Sequence, residues 1–597
     1  MARGESASKP SRPPRLADSL RGTGDATSGA ARPLWVGRAL VTLLSLAMLA
    51  LLGRVVQLQV APPERIAARL GSQQSSQQVM ARRGSLLDRR GRMLATTRIA
   101  KKVFVDPQLI VDYSGFSERV GYPLGIEPVR IDKAMAQRPG SRYVVIAPEL
   151  DREYARKLEE LDVPGLASEP VSVRDYPHGH LAGQVIGFVG ADGVGLEGLE
   201  RTFNDRLRPQ PGRLTYPRDA RRRPLWLSEH GYRPPEDGES IRLSIDAVIQ
   251  ASAEEHLAAT VEKYNAKSGE IVVMDPNTGE ILAMANNPSF APGDFRNSKK
   301  QERRNRCVTD VFEPGSIFKP FIWAMATQMG FARPDEKIDC TKAGYFVFPS
   351  GRTLRDAHSW EDPMLSWDEV LIQSSNIGMG KVALRMGDER LYAAMKAFGF
   401  GESTRSGLPG EVTGLVWPLS KWSSYSKTSV PMGQEVSVTP LQVTRAFCAI
   451  ANGGELVTPS YRVVDEREPA RTSVRERVLE PAIAAHTREV LRQTVTEGTG
   501  RKADSKLYEL FGKTGTAQLP DFENGGYHDD RYVASFMAGA PVSEPRLVIG
   551  CFIHDPDRSI GHYGGTVAGP AVRKVMEESL LYLGVPPLVE PDADDAE

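Results

Sequence analysis

The chain runs to 597 residues, 41% of them hydrophobic and 25% charged, with 75 basic residues against 75 acidic. A single core stops growing near ~250–300 residues, so more than one domain is expected. The even charge balance argues against a nucleic-acid partner and leaves only local patches open.

Residues 1–33 are rich in Gly, Ser, Ala, Pro and Arg and nearly lack large apolar residues, the composition of a disordered tail. An apolar segment then spans 34–60, its charge-free centre lying between Arg38 and Arg54. With its flanks it reaches the ~20 apolar residues a bilayer span needs, and the two arginines can extend to the interfaces. Basic residues outnumber acidic ones ahead of it, which places the N-terminus in the cytoplasm. A cleaved signal peptide is the rival reading, but the segment is longer than an ordinary h-region, which favours an uncleaved anchor. No second span follows, so the bulk of the chain is read as extracytoplasmic.

Residues 61–78 are polar and Gln/Ser-rich, a linker or helical extension. At 82–95, two short apolar pieces flank Asp88-Arg89-Arg90-Gly91, a β-hairpin that alone reads as a surface turn with solvated arginines. Residues 105–170 mix short strands with charged helical stretches, as an inserted subdomain without a chemical motif would. Next come Arg174-Asp175-Tyr176-Pro177-His178-Gly179, an apolar run at 185–190 read as a strand, and Gly195-Leu196-Glu197-Gly198-Leu199-Glu200. His178 and His180 lack a third ligand, so no metal is expected. The basic run 218–223 reads as a solvated or domain-facing surface, with anionic polymer or lipid headgroups as the alternative. A Pro/Gly-containing stretch at 234–238 marks a domain boundary. It leaves a pedestal at 61–237 and a second domain at 238–586.

The second domain opens with a strand at 240–245 and a helix at 247–264 capped by Asp246. Apolar runs at 270–275 and 280–286 flank the turn Pro276-Asn277-Thr278-Gly279. That order predicts an α+β domain, an antiparallel sheet packed by helices. Pro314-Gly315 leads into an apolar helix from about Ser316 to Gly330, with Ser316 and Lys319 on one face. A serine hydroxyl needs a base, and a lysine partly desolvated by Phe312 and Phe318 can be one. Alone, Ser-x-x-Lys is weak evidence that recurs by chance in long chains, and a helix start with a solvated lysine is the more ordinary reading. Ser374-Ser375-Asn376 precedes a buried helix at 377–386. Thr439 and Pro440 open another helix, which stops at Asn452-Gly453-Gly454. Phe511-Gly512-Lys513-Thr514-Gly515-Thr516-Ala517 leads to strands at 533–539 and 547–554, a helix at 568–583 and an acidic, disordered tail at 587–597. The cysteines, Cys307, Cys340, Cys448 and Cys551, form no C-x-x-C pair; they fit buried thiols or at most one disulfide.

Taken in order, Ser316-x-x-Lys319, Ser374-x-Asn376 and Lys513-Thr514-Gly515 form the motif trio of serine β-lactamases and penicillin-binding proteins. The chain resembles a class B penicillin-binding protein of the division type (FtsI-like), from its anchor to about Pro586. Residues 82–95, 174–190 and 195–200 are similar to the three pedestal motifs of that family. Residues 312–321, 373–376, 433–442 and 513–518, with Tyr563-Gly564-Gly565, match its penicillin-binding domain. Asn376 stands where the elongation branch usually has Asp. No C-terminal modules and no glycosyltransferase-sized segment are visible. Ile317 stands where the family often has Thr and is expected to point away from the chemistry. The polar loop 521–531 departs from the pattern, with an open effect on acceptor access.

The resemblance implies the serine transpeptidase fold on an elongated mixed pedestal and one transmembrane helix, with no cofactor. It implies a D,D-transpeptidase in which Ser316 attacks the bond between the two terminal D-alanines of a peptidoglycan stem peptide. Lys319 is the expected base, and Ser374 with Lys513 the proton relay. Asn376 is expected on the substrate amide, Thr514 and Thr516 on its carboxylate, with Gly515 between them. The N–H groups of Ser316 and Thr516 would form the oxyanion hole. Expected partners are stem peptides, β-lactams, an FtsW-like membrane glycosyltransferase and other division proteins, met through the pedestal at Arg82, Arg174 and Glu197. The alternatives are a D,D-carboxypeptidase or β-lactamase-type hydrolase, and a non-catalytic β-lactam sensor or scaffold.

Overall fold

The computed structural model describes residues 34–61, 63–64, 74–217, 231–463, 475–521 and 523–589. The tail 1–33, the basic run 218–223 and the acidic end beyond Val589 lie outside the described residues. Helix α1, Leu34–Val60, is long and apolar enough to cross a membrane: an 18-residue stretch within Trp35–Val60 has a mean hydropathy of 2.2 and none of it is buried. The polar segment read as a linker or helical extension instead ends in a strand, Gln74–Val79. Its Gln-Ser-Ser-Gln-Gln-Val sequence has no apolar stripe at helical spacing to bury.

Residues 77–214 pack with those from 232 onward as one compact body. Its pedestal part is built on a short strand, β1 (Leu86–Leu87), and a long one, β2 (Met93–Val105), joined by the expected hairpin. Strand β3 (Val144–Leu150) and strand β4 (Leu166–Asp175) pair antiparallel with β2. A separate apolar core, including Val103, Phe116, Ile131 and Leu158, fills the region between residues 103 and 166. The run at 185–190 is not a strand. Its first part is a helical turn, α2 (Gly183–Ile186), and Val189 makes only an isolated bridge to Gly195. A short buried apolar run fits either state, and here Gly187 decides. It sits at φ +73, and a Cβ there would lie 1.9 Å from the Glu197 carbonyl oxygen. The turn α3 (Gly198–Thr202) follows.

Strand β5 (Ile241–Arg242) pairs parallel with β1, so the first strand after residue 238 is added to the edge of the pedestal sheet. Helix α4 (Ala247–Lys263) then starts as expected, with the Asp246 carboxylate accepting from the Val248 N–H. Strands β6 (Ser268–Met274) and β7 (Ile281–Asn287) form the expected hairpin. Three further strands complete an antiparallel sheet: β8 (Phe511–Pro520), β9 (Tyr527–Ala540) and β10 (Leu547–His554). Its order is β7-β6-β10-β9-β8.

Both faces of this sheet are covered, which is why the second half of β6, Ile271 to Met274, is apolar without alternation. Ile271 and Val273 pack with Ile249 of α4 and with Val572 and Met576 of the last helix, α5 (Gly569–Tyr582). Val272 and Met274 face the opposite core, which holds Phe321, Trp323, Ile377 and Phe447. The α+β expectation, helices on both sides of an antiparallel sheet, holds. All four cysteines are buried free thiols.

Candidate active site

The nucleophile motif does not begin as an α-helix. Residues Gly315–Phe318 form a 3-10 turn, and the α-helix starts at Lys319 and runs to Gln328. The tighter turn lies flat on β8. A Cβ on Gly315, at φ +58, would sit 3.2 Å from Ala517 Cβ, and one on Gly515 would sit 2.3 Å from Ser535 Oγ and 2.9 Å from Ile317 Cγ2. Gly515 is thus required by close approach. Ile317, expected to point away from the chemistry, is fully buried as the spacer between the turn and the strand.

The trio expected from the sequence meets around Ser374, whose backbone is held at φ +60, a region costly for any residue but glycine. Lys513 Nζ donates to Ser374 Oγ at 2.9 Å, and Lys319 Nζ lies 3.2 Å from the same oxygen. Lys319 also donates to the Ser374 carbonyl at 2.6 Å and to Asn376 Oδ1 at 2.7 Å. Asn376 Nδ2 donates to the Arg355 carbonyl at 2.6 Å, which fixes the orientation of its amide. Asn376, expected on the substrate, therefore first holds Lys319. None of the Lys319 hydrogen bonds goes to Ser316, which is half-buried one turn away.

Both lysines are fully buried. Burial pulls the Lys319 ammonium down to about 7, against the opposing pull of Asp356. Burial, and then the charge of Lys319, holds Lys513 well below its ordinary value. A neutral amine has two N–H donors and one lone pair. In Lys319 the two donors match the Ser374 carbonyl and Asn376 Oδ1, which leaves the lone pair on the side of Ser374 Oγ, 3.2 Å away, to take a hydroxyl proton. That is the valence a base beside Ser316 requires.

Thr514 is covered and shares its hydroxyl with Thr499 Oγ1 at 2.8 Å. Thr516 is more open, and its hydroxyl accepts from the Gly564 N–H at 3.2 Å. Gly564 is pressed onto the strand: a Cβ there would lie 2.2 Å from the Gly515 carbonyl oxygen.

Asp356 escaped the sequence reading. Its Oδ1 accepts from the N–H groups of Asn376 and Ile377 at 2.6 and 3.1 Å, at the start of the helix Asn376–Ala397. Its Oδ2 accepts from Ser375 Oγ at 2.7 Å and Trp360 Nε1 at 2.9 Å. An Arg-Asp pair after a short strand carries no sequence signal. Asp356→Asn is expected to slow acylation about 10- to 100-fold, the worth of one hydrogen bond to a charged acceptor. It is also expected to move the pH limb of acylation downward, since the Asp356 charge holds Lys319 up. Stopped-flow acylation across pH checks both, and a purely structural role would leave the limb where it is.

The three pedestal residues part company. Arg82 is exposed, its N–H donating to Asp237 at 2.7 Å. Glu197 is 42% exposed, with Arg303 Nε at 3.9 Å. Arg174 is not a surface residue. Its side chain is 4% exposed, bound to Glu200 at 2.7 Å and to the Gly84 carbonyl at 2.7 Å. The expected contact role is corrected there: the side chain is spent inside the pedestal. Glu200 and Arg83, 2.7 Å apart and both buried, complete the network and were missed beside their exposed neighbours Glu197 and Arg82.

The chain matches the penicillin-binding protein transpeptidase domain over residues 269–577 and the penicillin-binding protein dimerisation domain over 78–243. It is 33% identical over 517 residues to the probable peptidoglycan D,D-transpeptidase PenA of Neisseria meningitidis, covering 86% of each chain. Against the peptidoglycan D,D-transpeptidase FtsI of Escherichia coli K12 it is 32% identical over 558 residues, covering 92% of this chain and 91% of that one. The crystal structure of penicillin-binding protein 3 from Mycobacterium tuberculosis with aztreonam aligns with a TM-score of 0.64 at 28% identity, over 86% of this chain and 98% of that chain. The three motifs around Ser374 thus sit in a chain that belongs to the class B penicillin-binding proteins, the peptidoglycan D,D-transpeptidase family.

Proposed function

We propose that Ser316 is the acylating nucleophile for the D-Ala-D-Ala end of a stem peptide, in septal wall synthesis during cell division. The observation that carries this reading is the fully buried Lys319, its ammonium drawn down to about 7, one turn from the serine and held by Ser374 and Asn376. Lys319 takes the hydroxyl proton as Ser316 Oγ attacks. The Ser374–Lys513 pair passes a proton to the departing D-alanine. The N–H groups of Ser316 and Thr516 hold the oxyanion, each donor worth about 3 kcal/mol of barrier. Thr514 and Thr516 take the substrate carboxylate, and the second Nδ2 hydrogen of Asn376 is available to the donor amide. A β-lactam acylates the same serine and stays bound. The amine of a neighbouring stem then releases the acyl group as a cross-link, without metal or organic cofactor.

Residues 34–60 anchor the protein in the cytoplasmic membrane, with the N-terminus inside and residues 61–586 outside, divided at 237/238 into pedestal and transpeptidase domain. Exposed Arg82 and Glu197 offer the contact for an FtsW-like membrane glycosyltransferase and other division proteins. Fluorescent penicillin is expected to label the wild type in membranes, and Ser316→Ala is expected to abolish the label. A labelled mutant overturns the nucleophile assignment. Donor hydrolysis without transfer to any amine assigns a carboxypeptidase instead.

A further inference from the structure

We propose that a cavity of about 520 Å³ beside the nucleophile turn is the acceptor subsite, and that it holds the ammonium of an amine-bearing side chain on Glu313. The inference rests on the transpeptidase reading above. Phe312, Glu313 and Ser437 form one wall of the cavity, Gln518 and Asp521 the other, with His554 also lining it. It starts two residues beyond Thr516 on β8. None of Ser374, Asn376, Lys513 and Thr514 reaches it, so a second substrate can enter with the donor in place.

The charges in its wall are unequally committed. His554 is hydrogen-bonded to Glu270 at 2.7 Å, Arg531 to Asp555 at 2.9 Å, and Asp521 faces His528 at 3.8 Å, while Glu523, the other lining acid, is exposed to solvent. Glu313 instead meets only neutral donors. Its Oε2 accepts from the Tyr527 hydroxyl at 2.7 Å and its Oε1 from the Glu435 N–H at 2.9 Å. Among the described residues no cation lies within ion-pair distance of it. Burial pushes the Glu313 carboxyl up, as expected of a desolvated acid without a counter-charge. Tyr527 pairs with Pro520 at the end of the β8–β9 hairpin, at the edge of the cavity. An arriving ammonium replaces a neutral O–H···O bond with a charge-assisted one, roughly twice as strong.

The chemistry then balances. The ammonium gives one proton to water, and the amine nitrogen bonds to the acyl carbon. The ester bond to Ser316 breaks, and a second amine proton passes to Ser316 Oγ.

The test uses the full-length protein in detergent, with wild type, Glu313→Gln and Tyr527→Phe. Fluorescent penicillin reads acylation, which needs no acceptor. A D-alanyl thioester donor with Nα-acetyl-lysine amide as the acceptor probe reads the ratio of transfer to hydrolysis. Glu313→Gln is expected to lower that ratio about tenfold, the anchor being lost, and Tyr527→Phe to raise it about threefold, the competing hydroxyl being gone. A structural clamp would lower both. A joint fall, or an unchanged ratio with normal acylation, overturns the subsite alone. Absence of Ser316-dependent acylation in the wild type overturns the transpeptidase reading and the subsite with it.

Discussion

Lys319→Met is expected to slow acylation by fluorescent penicillin on the order of 10³-fold, the middle of the range for a positioned general base. Methionine keeps the volume and apolar stem of this fully buried side chain while the lone pair is lost. In the wild type the same base sets the pH dependence. With Lys319 near 7, acylation is expected to rise through about pH 7 and flatten above it, because only the neutral amine accepts the proton. The sign of the stability effect is opposite to that of an ordinary ion pair. The unfolded lysine keeps its proton to about pH 10.5, so burial is most costly below pH 7 and the cost fades as pH rises toward 10.5. Lys319→Met removes this term. The variant should melt at an equal or higher temperature than the wild type at pH 6, with the gap closing by pH 10, in a thermal melt series.

The groups of this site that are local in sequence were legible there, and the ones that are local only in space were not. Ser316-x-x-Lys319 is one helical turn, and Ser374-x-Asn376 and Lys513-Thr514-Gly515 each hold their spacing without tertiary information. Asp356 is different. It lies 20 residues before Asn376 and touches it only because the short strands at 345–355 fold back onto that helix start. Backbone shape was legible where caps and turns punctuated it, as at Asp246, Thr439-Pro440 and Pro276-Asn277-Thr278-Gly279. It failed at 185–190, where the close approach of the Glu197 carbonyl, not side-chain periodicity, chose the conformation. The pedestal acids show the same limit at the scale of one turn. Glu197 and Glu200 are equivalent as letters, yet one faces solvent and the other is sealed.

That difference sets the second large effect. Glu200→Ala is expected to destabilise the protein by about 3–5 kcal/mol, the cost of leaving buried charge unpaired. The carboxylate is fully buried and divides its two oxygens between Arg83 and Arg174, each at 2.7 Å. Arg83 also donates to the Glu200 carbonyl at 2.8 Å and to Asn204 at 3.0 Å, while Arg174 reaches Gly84 and Thr97. One acid therefore closes a network that joins all three pedestal motifs, at residues 83–84, 174 and 200. Removing it leaves two guanidiniums, only 5% and 4% exposed, without their shared counter-charge. Glu197→Ala should change stability by no more than about 0.5 kcal/mol, as a surface substitution does, because Arg303 at 3.9 Å is its one ion-pair partner among the described residues. Urea titration of the detergent-solubilised chain, followed by tryptophan fluorescence, separates the two. Six of the seven tryptophans lie outside the pedestal, in α1 and the transpeptidase domain, so fluorescence reports mainly on the latter; Trp226 alone falls within the pedestal's bounds. An early transition in Glu200→Ala by far-ultraviolet dichroism, with fluorescence and penicillin labelling unchanged, would place the loss in the pedestal alone. A coincident loss of labelling would show that the pedestal network also holds the transpeptidase domain in its acylating form.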